Sequence, residues 1–458
     1  MQVQSIHLKH TVHFSDLKVD FPCTDAPVTL IVGEQGSGKT AILRAIYQAL
    51  SWFAARHKEP RTTGIVMPDH EILIARLQSK IDICVKVPSE ITCLHESNPQ
   101  NELAPTHYQW QLYKTLNAQG IGVSKIEAPQ LDRLIHLYHI VQKQDPYFGS
   151  PFLAYYPAER FIHEVPLINK HNPLTFQVAS AYDIANLPFT TFTKFFEWFR
   201  EISDIENAAT TQTVKTLLKQ TQNHWSQPDP LFGQKLVQAY HQLRHPNLKA
   251  LHLTLNTVLP ELTDLVLDYQ PKLQLSVVYR GKTMLFQQLP SSLRIQIAMI
   301  GDIVRRLCIL NPKSSTPCQD GEGILLIDAI DQYLETSQAA AFLKGLHQAF
   351  PRLQIICSSQ HEEILNDADE WQCLGLINRQ IYPIQTELDP NLWQDIYLQL
   401  QQHEHLEHIT QAEESLNTED DIQICLQQLQ QQFNPQQLLL LQQYLAESTQ
   451  AIPIDRSE

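Results

Sequence analysis

The sequence predicts an α/β fold: a mostly parallel sheet with helical cover, an antiparallel β lobe near the N-terminus, a helical insertion and a helical tail. Three observations carry this. The apolar run Val28-Thr29-Leu30-Ile31-Val32 leads into a Gly-rich loop and then a helix. Short apolar strands alternate with helices in the later half of the chain. Between these, and again after Pro390, the periodicity turns helical. At 458 residues the chain is long for one core, so a main domain with large insertions, or about two to three domains, is expected.

The elements follow in order. Residues 3–9, 27–32, 71–76, 81–87 and 107–115 read as strands by alternation or short apolar runs. Ile42, Ile46, Leu50 and Phe53 are spaced as one helix face, and Asn98-Pro99-Gln100-Asn101 is a turn cluster. From about 129 to 260 the pattern is helical: Leu131, Leu134, Ile135, Tyr138 and Val141 mark one helix. Phe192, Phe195, Phe196, Trp198 and Phe199 mark another, whose rings at helical spacing fit a packed core, with base stacking as the other reading. Residues 262–288 return to strands. A long helix follows with Leu293, Ile297, Ile300, Val304 and Leu307 on one face, then a polar loop at 311–323. A strand at 324–328, a helix near 336–349, a strand at 353–358 and a short strand near 374–378 close the body. The segments are therefore 1–128 and 261–388 as two halves of one head, 129–260 as the insertion and 389–458 as the tail. In the tail, Ile422, Leu426, Leu429 and Phe433 form a stripe; Asn434 and Pro435 start a second helix with Leu438, Leu441 and Leu445 on its apolar face. This pair either docks on the body or builds an interface.

Composition excludes several classes. The net charge of −15, without a basic block, does not indicate nucleic acid, since phosphate contacts need clustered Lys and Arg; a local patch formed in three dimensions would still admit it. No stretch approaches the roughly 20 apolar residues of a membrane helix, and no leader pattern opens the chain, so no membrane and a cytoplasmic location are expected. The eight cysteines are scattered without a C-x-x-C pair, as suits reduced thiols. His403, Glu404, His405, Glu407 and His408 have helical spacing compatible with metal ligation, but no closed tetrahedral set lies nearby, and an exposed His-rich helix explains them better.

Gly33-Glu34-Gln35-Gly36-Ser37-Gly38-Lys39-Thr40 matches the phosphate-loop pattern G-x-x-x-x-G-K-[ST] at every position, with strand before and helix after. Glycines let the backbone N–H groups face inward, and the helix N-terminus, beginning near Ala41, adds partial positive charge. Lys39 is expected to reach the β/γ-phosphates and Thr40 to bind Mg²⁺. The second half of such a site is a strand ending in a Mg²⁺-associated carboxylate, and Gly323-Ile324-Leu325-Leu326-Ile327-Asp328 supplies one.

With a large insertion between the two halves, the chain resembles the ABC-class "AAA family" ATPases related to RecF and SMC heads, in particular the group with the Septu-type and retron-associated defence ATPases. The resemblance covers most of the body. It runs through Phe152-Leu153-Ala154-Tyr155-Tyr156 and Ala158-Glu159-Arg160, Phe195-Phe196-Glu197-Trp198-Phe199-Arg200 with Glu206-Asn207, the signature-type helix Gly301-Asp302-Ile303-Val304-Arg305-Arg306-Leu307, and Ala329-Ile330-Asp331-Gln332-Tyr333-Leu334, where Asp331 is the D-loop residue. The resemblance implies an ABC-type head, ATP and Mg²⁺ as ligands, pairing of heads in a homo-oligomer, and antiphage defence beside a separate effector such as a nuclease.

The turnover motifs of that family are degenerate here. Ala329 stands where a carboxylate orients the attacking water. Gln360 stands at the usual histidine position, with His361 one residue late. Leu289-Pro290-Ser291-Ser292-Leu293-Arg294 replaces the L-S-x-G-x motif; Pro290 removes a backbone N–H and Ser292 replaces the permissive glycine. A positioned base is worth roughly 10²–10⁴ in rate and a preorganised donor roughly 10²–10³. Retained ATP–Mg²⁺ binding with weak or absent hydrolysis is expected, ATP acting as a structural or regulatory ligand. The rival expectation is an active RecF/SMC-like ATPase in DNA repair or DNA sensing, with Asp331 or Glu362 or another subunit supplying the base. A transporter subunit fits least, for want of the L-S-G-G-Q motif.

Overall fold

Period-two burial builds the first lobe. β1 (Gln2–Thr11) buries Val3, Ile6, Leu8 and Thr11, and β2 (Phe14–Asp20) buries Phe14, Leu17 and Val19 with exposed residues between them. β3 (Val28–Val32) is buried at every position, the signature of a strand covered on both faces. α1 (Lys39–Lys58) follows, then a 3₁₀ turn at Asp69–Glu71, β4 (Gln78–Lys86), β5 (His107–Leu116), β6 (Gly122–Glu127) and α2 (Pro129–Gln144). Next come β7 (Phe152–Tyr156), β8 (Glu159–Arg160), α3 (Val178–Ala181), β9 (Phe189–Thr190), α4 (Thr193–Gln222) and α5 (Pro246–Val258). The chain continues through β10 (Leu262–Asp268), β11 (Gln274–Tyr279), β12 (Lys282–Leu285), α6 (Ser291–Leu310) and α7 (Pro317–Asp320). β13 (Gly323–Ile327), α8 (Thr336–Ala349), β14 (Leu353–Ser359), β15 (Gln372–Ile377) and β16 (Gln380–Ile384) complete it. This computed structural model describes residues 1–22, 28–89, 91, 105–117, 120, 122–145, 147–162, 165, 178–182, 189–222, 244–361, 364–365 and 371–384.

The fold class is the expected α/β one. The main sheet has the order β16-β15-β3-β14-β13-β7 and is parallel throughout except for β16. Its register aligns Ile327 with Cys357 and Tyr156, and Ser359 with Val32, so four strands end along one edge. An antiparallel sheet, β2-β1-β4-β5-β6, forms the lobe, and β10-β11-β12 a third sheet. α1 packs against both larger sheets, and the indole N–H of Trp110 on β5 donates to the Ala49 carbonyl of α1 at 3.0 Å. Two side chains join the lobe to the main sheet among the described contacts: Gln354 of β14, fully buried, accepts from the Val3 N–H at 2.6 Å and donates to the Val3 carbonyl at 2.9 Å, and Gln372 of β15 donates to the Asp20 carbonyl of β2 at 3.1 Å. The aromatic run of α4 is core, with Phe195, Phe196, Trp198 and Phe199 all buried.

Some expectations change. Residues 71–76 are not a strand: beyond the bridge at Ile72 the chain reverses, with Ala75 at φ 65° and the Arg76 N–H bonded to the Leu73 carbonyl, leaving Ile74 exposed. β2, β6 and β16 were not anticipated. Segment 129–260, expected as helical, also contributes β7 to the main sheet. The tail at 389–458, the His403–His408 cluster, Glu362 and the turn at 98–101 lie outside the described residues. Among the described residues no helix is long and apolar enough to cross a membrane, no group of metal ligands gathers, and five cysteines are free thiols.

His57, in the last turn of α1, is buried between Phe53 and the His139 ring, the two imidazoles stacking at 4.8 Å. Burial, with His139 as a secondary cause, pushes its pKa down to about 4. The unfolded chain protonates His57 near 6.5, so this group's contribution is complete above that pH and is lost as pH falls towards about 4. Denaturant titrations at both pH values should show about 3 kcal/mol more acid destabilisation in the wild type than in His57→Phe; equal slopes would refute it.

Candidate functional site

At the aligned strand ends a cleft of about 420 Å³ opens between the loop after β3 and the β1–β2 turn. Ligands of open parallel sheets bind at this edge, beyond the carboxyl ends of the strands. The loop Gly33–Thr40 turns out of β3 into α1 with Gly36 at φ 81° and Gly38 at φ 114°, a backbone course closed to most side chains. A Cβ on Gly38 would lie 2.5 Å from the Phe14 ring, whereas one on Gly36 would meet open space. Gln35, Gly36, Gly38, Lys39, Thr40 and Ala41 line the cleft. Gly33 and Glu34 act through their carbonyls, which accept from Lys39 Nζ at 2.5 and 2.7 Å, and Ser37 Oγ lies 3.4 Å from the same nitrogen. Burial lowers the Lys39 pKa, opposed by the charges of Asp328, Asp331 and Glu34.

Asp328 follows β13 directly. Its N–H donates to the Tyr156 carbonyl at 2.8 Å, and its Oδ1 accepts from Ser358 Oγ at 2.6 Å. Its Oδ2 is buried with no partner among the described residues. Buried polar atoms are normally paired, so an orphan carboxylate oxygen on the wall facing Lys39 and Thr40 suits a cation. The residues present therefore fit a phosphate chain on the loop and a divalent ion between Thr40 and Asp328.

Ala329, next in line, presents a methyl group to the cleft. Gln360 also lines it, and its N–H donates to Asp331 Oδ2 at 3.1 Å. Asp331 is committed: the same oxygen accepts from Ser359 Oγ at 2.9 Å, so this carboxylate fixes the segment after β14. His361 is exposed, 3.8 Å from Asp331. Leu289–Arg294 starts α6 away from the cleft, with exposed Pro290 at the helix cap position. Among the described lining residues the carboxylates are Asp328 and Glu71. Glu71 belongs to the far wall, where Gln48 Nε2 donates to both its oxygens at 2.9 and 3.1 Å and Arg44 lies 3.7 Å away.

Sequence reasoning missed this far wall, formed by Val12, His13, Arg44, Gln48, His70 and Glu71. A signal existed in part: Thr40, Arg44 and Gln48 recur every four residues along one helix face. It also missed Ser358, whose hydroxyl joins Asp328 to the Ala329 N–H.

The sequence model of a family described as an AAA domain matches residues 5–263. The chain is 24% identical over 408 residues to the "Retron Vc95 probable ATPase" of Vibrio cholerae serotype O1 biovar El Tor, covering 83% of this chain and 74% of that one. It is 25% identical over 421 residues to the "Retron Ec83 probable ATPase" of Escherichia coli, with coverage of 83% and 72%. Among solved structures, an SMC head bound to the C-winged helix domain of ScpA aligns at a TM-score of 0.44 and 12% identity, over 84% of this chain and 98% of that one.

The loop geometry separates its glycines. Gly36→Ala should cost about 1–2 kcal/mol in left-handed strain alone, and Gly38→Ala at least about 1 kcal/mol more because its methyl must also force Phe14 aside, read by denaturant titration. Equal losses at both positions would contradict the contact with Phe14.

Proposed function

The chain belongs to the AAA domain family, and on that premise we propose that it is an ABC-type subunit that holds ATP–Mg²⁺ in this cleft and turns it over slowly or not at all. One observation carries the reading. The binding half of the site is complete, from the glycine loop and Lys39 to the unpartnered Asp328 Oδ2, while Ala329 puts a methyl group where a water-orienting carboxylate belongs. In this reading Gly33, Glu34, Gln35, Gly36, Ser37, Gly38, Lys39, Thr40 and Ala41 bind the nucleotide, and Thr40 with Asp328 holds the metal. The magnesium ion supplies charge neutralisation of the phosphates when bound.

The role that follows is a nucleotide-dependent scaffold or regulator of a bacterial antiphage defence complex. The retron ATPases to which the chain is similar support that setting. Partners are a second copy of the chain through the head and a separate effector such as a nuclease. A ligand at about 100 times its dissociation constant stabilises the bound state by about 2.7 kcal/mol, enough to hold an assembly together. The rival, an active ATPase using Asp331 as base, is disfavoured because Asp331 does not line the cleft and its Oδ2 already accepts from Ser359 and the Gln360 N–H.

Purified full-length protein should bind ATP–Mg²⁺ by calorimetry, and Lys39→Ala should abolish binding. Ala329→Glu should raise turnover about 10²-fold or more from a very low base. Ordinary ABC turnover in the wild type, lost in Lys39→Ala, would overturn the weak-hydrolysis reading.

A further inference from the structure

Arg160 is 3% exposed and does not line the cleft, yet it touches the site's backbone. Its Nη1 donates to the carbonyls of Asp328 at 2.6 Å and Pro157 at 2.9 Å, and its Nη2 to the carbonyl of Ala329 at 2.7 Å. Pairing of β8 with β9 holds its own backbone. From the opposite side Ser358 Oγ accepts from the Ala329 N–H at 2.8 Å and donates to Asp328 Oδ1 at 2.6 Å. Between these two anchors Ala329 takes φ 46°, a left-handed conformation that costs about 1–2 kcal/mol for a residue with a Cβ. That strain is maintained by contacts, since a guanidinium fork matches two adjacent carbonyls as no single-point donor does. The consequence falls on Asp328: its backbone carbonyl and Oδ1 are committed, and Oδ2 alone is left for a ligand.

We infer that Arg160 is a positioning residue for a divalent cation: by fixing the left-handed Ala329 turn it aims Asp328 Oδ2 into the cleft that Thr40 also lines. This rests on the nucleotide–metal reading of that cleft. Outer contacts that orient a ligating side chain are worth about 10–100-fold in metal affinity. A residue that only supports the fold would weaken nucleotide binding with and without metal alike, whereas a positioning residue acts on the metal-dependent part.

The test uses the full chain, a fluorescent ATP analogue, and Mn²⁺ as the metal probe, read by fluorescence and by the Mn²⁺ paramagnetic resonance signal. In Arg160→Gln the Mn²⁺ midpoint should rise about 10–100-fold while nucleotide binding in excess chelator stays within about twofold. Arg160→Gln combined with Asp328→Asn should lose no more than Asp328→Asn alone. A folded Arg160→Gln protein with a wild-type midpoint, or with metal-free and metal-bound affinities lowered equally, overturns the proposal. Should that variant fail to fold, Arg160→Lys keeps the charge but not the fork and must raise the midpoint in the same way; no shift overturns the proposal. Wild-type binding of nucleotide without any Mn²⁺ dependence overturns the metal role alone. Absence of nucleotide binding in the wild type overturns the nucleotide reading and this inference with it.

Discussion

Burying the Asp328 carboxylate at the end of a central strand is the constraint around which the site is organised. An ion removed from water costs several kcal/mol unless it is compensated. The neighbours of β13 hold it in place and supply part of that compensation: the Tyr156 carbonyl on one side takes the backbone N–H and fixes the strand end, and Ser358 on the other donates to Oδ1 of the carboxylate. Lys39 lends positive charge across the cleft, an interaction visible in the opposing effects on its own ionisation. The compensation stops one oxygen short.

The neighbouring end of β7 reaches α6. The Tyr156 hydroxyl donates to Asp302 Oδ2 at 2.9 Å, and Asp302 also receives Arg305 at 2.9 Å and Arg306 at 2.8 Å. Burial alone would raise the Asp302 carboxyl, but Arg306 and Arg305 hold it well below the usual carboxylate range. Arg306 continues to the Ala181 carbonyl at 2.7 Å, tying α3 to α6. Buried ion groups of this kind add little net stability over apolar packing, yet breaking one member costs about 3–5 kcal/mol. They fix where α6 sits relative to β7 and β13.

The parts of the site that were legible in the sequence share one property: their chemistry is written in contiguous residues. The loop Gly33–Thr40 and the strand ending in Asp328 each declare themselves within eight residues or fewer, and the main sheet followed from strand–helix alternation. Arg160 could be read only as part of a family pattern, because its partners are backbone carbonyls 168 and 169 residues away and leave no mark in residue type. Asp331 looked free as a spare base because its partners, Ser359 and the Gln360 N–H, come from another strand. Strands β2, β6 and β16 were missed, and β6 shows why: at a sheet edge its residues remain largely exposed, so no apolar alternation signals the strand. The stretch at 71–76 failed in the opposite sense, since apolar Ile74 faces solvent on a reverse turn.

The pairing of Gln354 with Val3 has a mechanical meaning. An amide that bonds both the N–H and the carbonyl of one residue on a neighbouring sheet resists sliding in either direction and rotation about the contact. The β1–β2 turn, on one side of the cleft, is therefore tied through β1 to β14, whose Ser358 lines the cleft and is followed by Gln360, which does too. Part of the cleft's shape is thus decided at the opposite end of β1 from the turn, where Val3 meets Gln354.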